Sequence, residues 1–148
     1  GISLGGFGTW DLLARRPAMF AAAVPICGRA DLKTAPLLKS IPIWAFHGDA
    51  DTTVHPRNAE QVAAAAAEGA VVERQAPSPA EGTGARAFTR QVHRQADGRV
   101  VAEQWLVHGG AHAWSGGRKA GSYTDPLGPD ASAEMLRFFF EHPGPTAR

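Results

Sequence analysis

Apolar runs and amphipathic stretches alternate along this chain and divide it into short buried strands and longer helices. From Gly5 to Arg16, Phe7, Trp10, Leu13 and Ala14 recur at helical spacing, and Pro17 stops the pattern. Phe20 to Ile26 is a short apolar run that suits a buried strand. Ile41 to Phe46 is a second, ending at His47-Gly48. Between them, Gly28 to Ser40 reads as a loop with one helical turn near Leu37. Pro56 to Glu68 is an alanine-rich helix, with proline in its first turn and Gly69 just past its end. Val71-Val72 begins a third strand.

The second half changes period. Ala76 to Ala85 is rich in Pro, Gly, Ser and Glu and predicts a flexible loop. Ala87 to Gln95 and Arg99 to Val107 are extended runs, and Asp97-Gly98 between them is a hairpin signal. Gly109 to Pro129 is a glycine- and proline-rich loop, of a length more typical of functional loops than of connectors. Ala131 to His142 predicts a last helix. Asp130 caps it, Met135, Leu136, Phe139 and Phe140 form its apolar face, and Pro143 stops it. Strands alternating with helices predict an α/β fold with a mostly parallel sheet, whose reactive residues lie on loops at the carboxyl ends of strands.

Composition narrows the partners. A chain of 148 residues, 44% hydrophobic, is one domain with a sizeable core. A net charge of +1 with 20% charged residues gives no electrostatic basis for binding nucleic acid or a membrane surface. No apolar run approaches the roughly 20 residues of a membrane span. Cys27 stands alone, which excludes an internal disulfide and a cysteine-based metal site. The six histidines show no H-x-x-x-H or comparable ligand spacing, so neither a metal nor another cofactor is expected.

Reactive chemistry concentrates at Gly1-Ile2-Ser3-Leu4-Gly5, which fits G-x-S-x-G. In that pattern a serine sits on a strained turn between a strand and a helix, with glycines where backbone meets backbone. The N–H of the following residue, here Leu4, can help hold an oxyanion. A serine hydroxyl needs a histidine base, and that histidine needs a carboxylate to orient it. Both follow on strand ends in the order Ser, Asp, His: Asp51 in His47-Gly48-Asp49-Ala50-Asp51, and His112 in His108-Gly109-Gly110-Ala111-His112. Asp49 competes with Asp51 for the acid role, and His108 with His112 for the base. His47 is expected to hydrogen-bond within its own loop. Trp114, just past His112 in a glycine loop, and Trp10 are candidate walls of an acyl pocket, although Trp10 sits on the helix face that should be buried. Tyr123 and Asp125 read as structural parts of their loop, and Arg15, Arg16, Arg90 and Arg94 as solvated.

The segments Gly1 to Asp11, His47 to Asn58, His108 to Gly117 and Ser122 to Ser132 resemble the poly(3-hydroxybutyrate) depolymerase family of esterases, α/β-hydrolases related to feruloyl and acetylxylan esterases. The likeness runs from Gly1 to about Pro143. Phe-Gly-Thr-Trp-Asp and Val-Pro-Ile-Cys-Gly resemble more the peptidase- or phospholipase-like carboxylesterases, which leaves the substrate open. The resemblance implies Ser3 as nucleophile, Asp51 as acid at the last place of H-G-x-x-D, His112 as base and Leu4 as oxyanion donor. It implies a serine ester hydrolase acting on short hydroxyalkanoate, feruloyl or acetyl esters, free or on a polymer, with export from the cytoplasm. A peptidase of the same fold is the alternative. Because the chain opens inside the motif, residues 1–148 are expected to be the carboxyl-terminal part of the catalytic domain. The strand before the serine and the second oxyanion donor would then be missing, and the unpaired sheet edge would favour association or an inactive fragment.

Overall fold

The computed structural model describes residues 1–38, 41–78 and 85–143. The first helix, α1 (Leu4–Arg15), buries Gly6, Trp10 and Leu13 on one stripe. After a 3₁₀ turn at Pro17–Met19, the segment around Ala23 to Ile26 runs through the core. A second 3₁₀ stretch, Leu32–Leu38, leads to β1 (Ile43–Gly48). Helix α2 (Arg57–Ala66), within the alanine-rich stretch expected to be helical, buries Ala59, Val62, Ala63 and Ala66 on one stripe. Then come β2 (Val71–Arg74), β3 (Phe88–Arg94) and β4 (Val100–Val107), a two-residue ribbon of β5 (Trp114–Ser115) and β6 (Thr124–Asp125), and α3 (Ala131–Glu141).

The main sheet has the order β1-β4-β3-β2. Strand β1 pairs with β4 in parallel, whereas β3 pairs antiparallel with both β4 and β2. The sheet is therefore mixed, and the expectation of a mostly parallel one is corrected. The Asp97-Gly98 turn, with Gly98 at φ 83°, folds β4 straight back on β3, so no crossover helix can intervene. Parallel pairing continues past β1 as single bridges: Ala23 to Ile43, Ile26 to Phe46, and Ile2 to Ile26. The run around residues 20–26 thus joins the sheet without becoming a regular strand. Pro25 within it has no N–H to donate, and Cys27 turns away at φ 46°.

Every residue of β1 is buried, and its side chains alternate between two layers. Ile43 and Ala45 pack with Trp10, Leu13, Leu38 and Val62 on the side of α1 and α2. Trp44 and Phe46 pack with Trp105, Val107 and Phe138 on the side of α3. Asp130 caps α3 as expected, its carboxylate accepting from the N–H of Ser132 and Ala133. The inward face of that helix is not the expected one. Phe138 is its buried anchor, packed over Trp44, whereas Leu136, Phe139 and Phe140 are exposed. No described helix is long and apolar enough to cross a membrane. Of the loops expected at Gly28 to Ser40 and Ala76 to Ala85, residues 39–40 and 79–84 lie outside the described residues.

Candidate active site

The end of β1 and the end of β4 lie side by side, Gly48 opposite Val107. Asp51 and His112 leave these ends on adjacent loops. His112 donates Nδ1–H to Asp51 Oδ2 at 2.7 Å. The other carboxylate oxygen, Oδ1, accepts from the N–H of Thr53 at 2.8 Å and of Val54 at 2.9 Å. Burial opposes a charge on Asp51. The N–H of Val54, the His112 imidazole and the N–H of Thr53 more than offset it, and the carboxyl is held below its ordinary value.

The four residues left open by the sequence sort into two pairs. His108 puts Nδ1 at 2.9 Å from Asp49 Oδ2 and Nε2 at 2.8 Å from the Thr89 hydroxyl, and the Gly109 N–H binds Asp49 Oδ1 at 2.6 Å. Both His108 nitrogens are engaged, and this pair sits at the surface. The Asp51–His112 pair is largely buried, and among the described residues Nε2 of His112 makes no hydrogen bond. Ser3 and His112 line one cavity of about 290 Å³ with Ile2, Thr53 and Tyr123. Among the described residues no hydrogen bond joins Ser3 to His112, a looseness common in unliganded sites.

Ser3 occupies the position before the first turn of α1 with φ 54° and ψ −117°, in left-handed space that L-residues avoid. Serine there ordinarily caps the helix, yet its hydroxyl makes no capping bond. Ser3 lines the cavity instead. The turn hangs from the sheet, since Ser3 N–H donates to the Ile26 carbonyl at 2.9 Å and Ile26 N–H to that of Gly1 at 2.9 Å. Gly1 to Ser3 therefore supply the end of the strand that the sequence reading placed before Gly1. The glycines act differently from the pattern's usual rationale. A Cβ on Gly1 would come within 2.9 Å of the Gly5 carbonyl group, but one on Gly5 meets open space. The tight position is Gly6, whose Cβ would lie 2.7 Å from the Ile26 oxygen and 2.9 Å from Gly28. Leu4 begins α1, so its N–H lies outside the helical ladder, and no backbone acceptor binds it among the described residues. That N–H stands at the positive end of the helix dipole.

Other candidates fall elsewhere. Trp10 is a core residue under α1, and Trp114 is half-buried with its indole N–H on the Ser132 hydroxyl at 3.0 Å. Neither lines the cavity. Tyr123, read from the sequence as structural, stands on its rim with φ 53° and high exposure. Its left-handed backbone carries no sequence signal for a tyrosine. Asp125 binds the Arg86 guanidinium at 2.5 Å. Cys27, His47 and Asp51 place possible ligand atoms within 4.8 Å of one another. They do not form a ready metal site. Burial, and then the Asp51 charge, push the Cys27 thiol up to about 12, and Asp51 already accepts several N–H groups.

No family model matches the sequence, and no curated protein matches it. Among solved structures, the chain is similar to one described as a thermostable esterase, with 43% identity, a TM-score of 0.45, and coverage of 46% of this chain and 18% of that one. The chain thus spans less than a fifth of that protein's length. The functional reading rests on the geometry described above.

Proposed function

We propose that this chain carries the acyl-transfer site of a serine carboxylic-ester hydrolase. The observation that carries the reading is the Asp51–His112 bond of 2.7 Å at one wall of a cavity whose other wall is the strained Ser3. His112 Nε2 takes the proton of Ser3 Oγ as that oxygen attacks the ester carbonyl. Asp51 holds the ring by Nδ1 and stabilises the imidazolium that forms. The Leu4 N–H binds the developing oxyanion. His112 then protonates the departing alcohol, and water attacks the acyl-serine by the same route.

Besides Ser3 and His112, the described lining of the cavity is Ile2, Thr53 and Tyr123, none of them ionic, which suits a neutral ester. Its volume of about 290 Å³ suits a short or aryl group. Short hydroxyalkanoate, acetyl and feruloyl esters are the substrates we propose. A fluorophosphonate probe applied to native and heat-denatured chain tests the mechanism. Labelling of Ser3 in the native sample alone is expected, and its loss in Ser3→Ala. Labelling at another residue, or equal labelling after denaturation, would refute it.

A further inference from the structure

Two imidazoles stand beside the Asp51 carboxylate, one hydrogen-bonded to it and one in close approach. His47 Nε2 lies 3.2 Å from Oδ2, the oxygen that His112 Nδ1 approaches at 2.7 Å. The same Nε2 lies 2.8 Å from the Val54 carbonyl oxygen. A carbonyl only accepts, so Nε2 of His47 carries the proton and donates. Nδ1 of His47 is then the bare nitrogen, and it is buried with no partner among the described residues. The ring is 4% exposed, and burial pushes His47 below the ordinary histidine value, beyond what Val54 and Asp51 restore. The titratable groups around it are Asp51 on its own loop, His112 beyond β4, the protonated Cys27 thiol, and Glu60 of α2 across a small cavity. Of these, Asp51 alone is an anion within bonding distance of the ring.

We infer that His47 is a positioning residue for the acyl-transfer step. Its neutral Nε2–H is donated to the Val54 carbonyl, which fixes the ring with its polar edge 3.2 Å from Asp51 Oδ2 and keeps that oxygen in line with His112. The inference rests on the serine-hydrolase reading of Ser3. Thr53 and Val54 secure only Oδ1, and the carboxylate torsion is intrinsically soft, so Oδ2 needs a second polar neighbour. A neutral ring supplies it without placing a second positive charge beside the imidazolium formed on His112. Sharing Oδ2 also draws charge away from the His112 contact, and removing His47 would concentrate it there.

The test is the rate of fluorophosphonate labelling of Ser3 from about pH 5 to 9 in the unaltered chain, His47→Ala and His47→Gln, with thermal unfolding of each. The glutamine amide reaches both acceptors without titrating, so His47→Gln is expected within about threefold of the unaltered rate. His47→Ala is expected to fall about 10- to 100-fold, the cost of a small misplacement of the base. Its acid limb is expected to move to higher pH, which a merely structural role would not do. A cooperatively folded His47→Ala that labels at the unaltered rate and pH dependence overturns the inference and leaves the serine-hydrolase reading standing. Failure of the unaltered chain to label overturns both. If His47→Ala does not fold, ¹⁵N spectra of the unaltered chain decide. A single Nε2–H tautomer of His47 that does not titrate between about pH 5 and 8 supports the inference, and a His47 that protonates in that range overturns it.

Discussion

Gly48 and Gly110 lie backbone against backbone at the ends of β1 and β4. A Cβ on Gly48 would overlap the Gly110 carbonyl, and the Ala50 N–H donates to that same oxygen at 2.9 Å. The Asp49 N–H adds a bond to the Val107 carbonyl at 3.0 Å. This seam sets how far the Asp51 loop stands from the His112 loop. Gly48→Ala is expected to lose about 1–3 kcal/mol by overpacking and to slow labelling of Ser3 as the two loops part. Denaturant unfolding with the labelling assay measures both. Unchanged stability would mean that the seam yields freely.

Ser3 is held in left-handed space, at a cost to the fold. Ser3→Gly is therefore expected to abolish hydrolysis and yet unfold about 3 °C above Ser3→Ala, equivalent to about 1 kcal/mol in a chain of this size. Differential scanning calorimetry of the two variants compares them directly. A lower midpoint for the glycine variant would show that the turn stores no strain.

Glu103 is buried between Arg90, which grips it with two bonds of 2.8 and 2.9 Å, Arg137 of α3 at 2.6 Å and the Trp105 indole at 2.6 Å. Burial opposes its charge, but Arg90, Trp105 and Arg137 more than compensate, and the carboxyl is held below its ordinary 4.5. A carboxyl depressed by folding stabilises the fold fully above that ordinary value. The contribution is lost as pH falls through the lower, folded value. Glu103→Gln is expected to cost about 2 kcal/mol at neutral pH, less than for a fully buried pair because both guanidiniums reach solvent. It should also flatten the loss of stability below about pH 4.5. Urea unfolding at several pH values would show a parallel rather than a converging curve if Glu103 had no such role.

Cys27 is buried, and its thiol is pushed up to about 12, chiefly by burial and then by the Asp51 charge. The thiolate is the reactive form, so iodoacetamide at about pH 8 is expected to leave the native chain unmodified and to alkylate it at once in urea. Mass spectrometry over time reads this. Rapid alkylation of the folded chain would place Cys27 in contact with solvent.

Much of the architecture was legible because it depends on neighbours a few positions apart. The alanine-rich helix α2, the Asp130 cap and the Asp97-Gly98 turn are short-range physics, and each appears where the pattern puts it. The face of α3 was misread. Phe138, Phe139 and Phe140 are equally apolar, and only the Trp44 surface selects Phe138. Arg90 looked like a solvated residue on an extended run because its partner Glu103 lies across the hairpin. Tyr123 carried no local mark of the cavity rim it occupies.

Periodicity and turn chemistry are set by residues a few positions apart, and the order Ser3, Asp51, His112 is read directly along the chain. Which carboxylate meets which imidazole was decided by the tertiary structure. Asp49 and Asp51 offer the same group to His108 and His112, and apart from the resemblance carried by H-G-x-x-D their spacing does not distinguish the pairings. The backbone seam at Gly48 and Gly110, formed between residues 62 positions apart, sends Asp51 inward to His112 and leaves Asp49 with His108 at the surface.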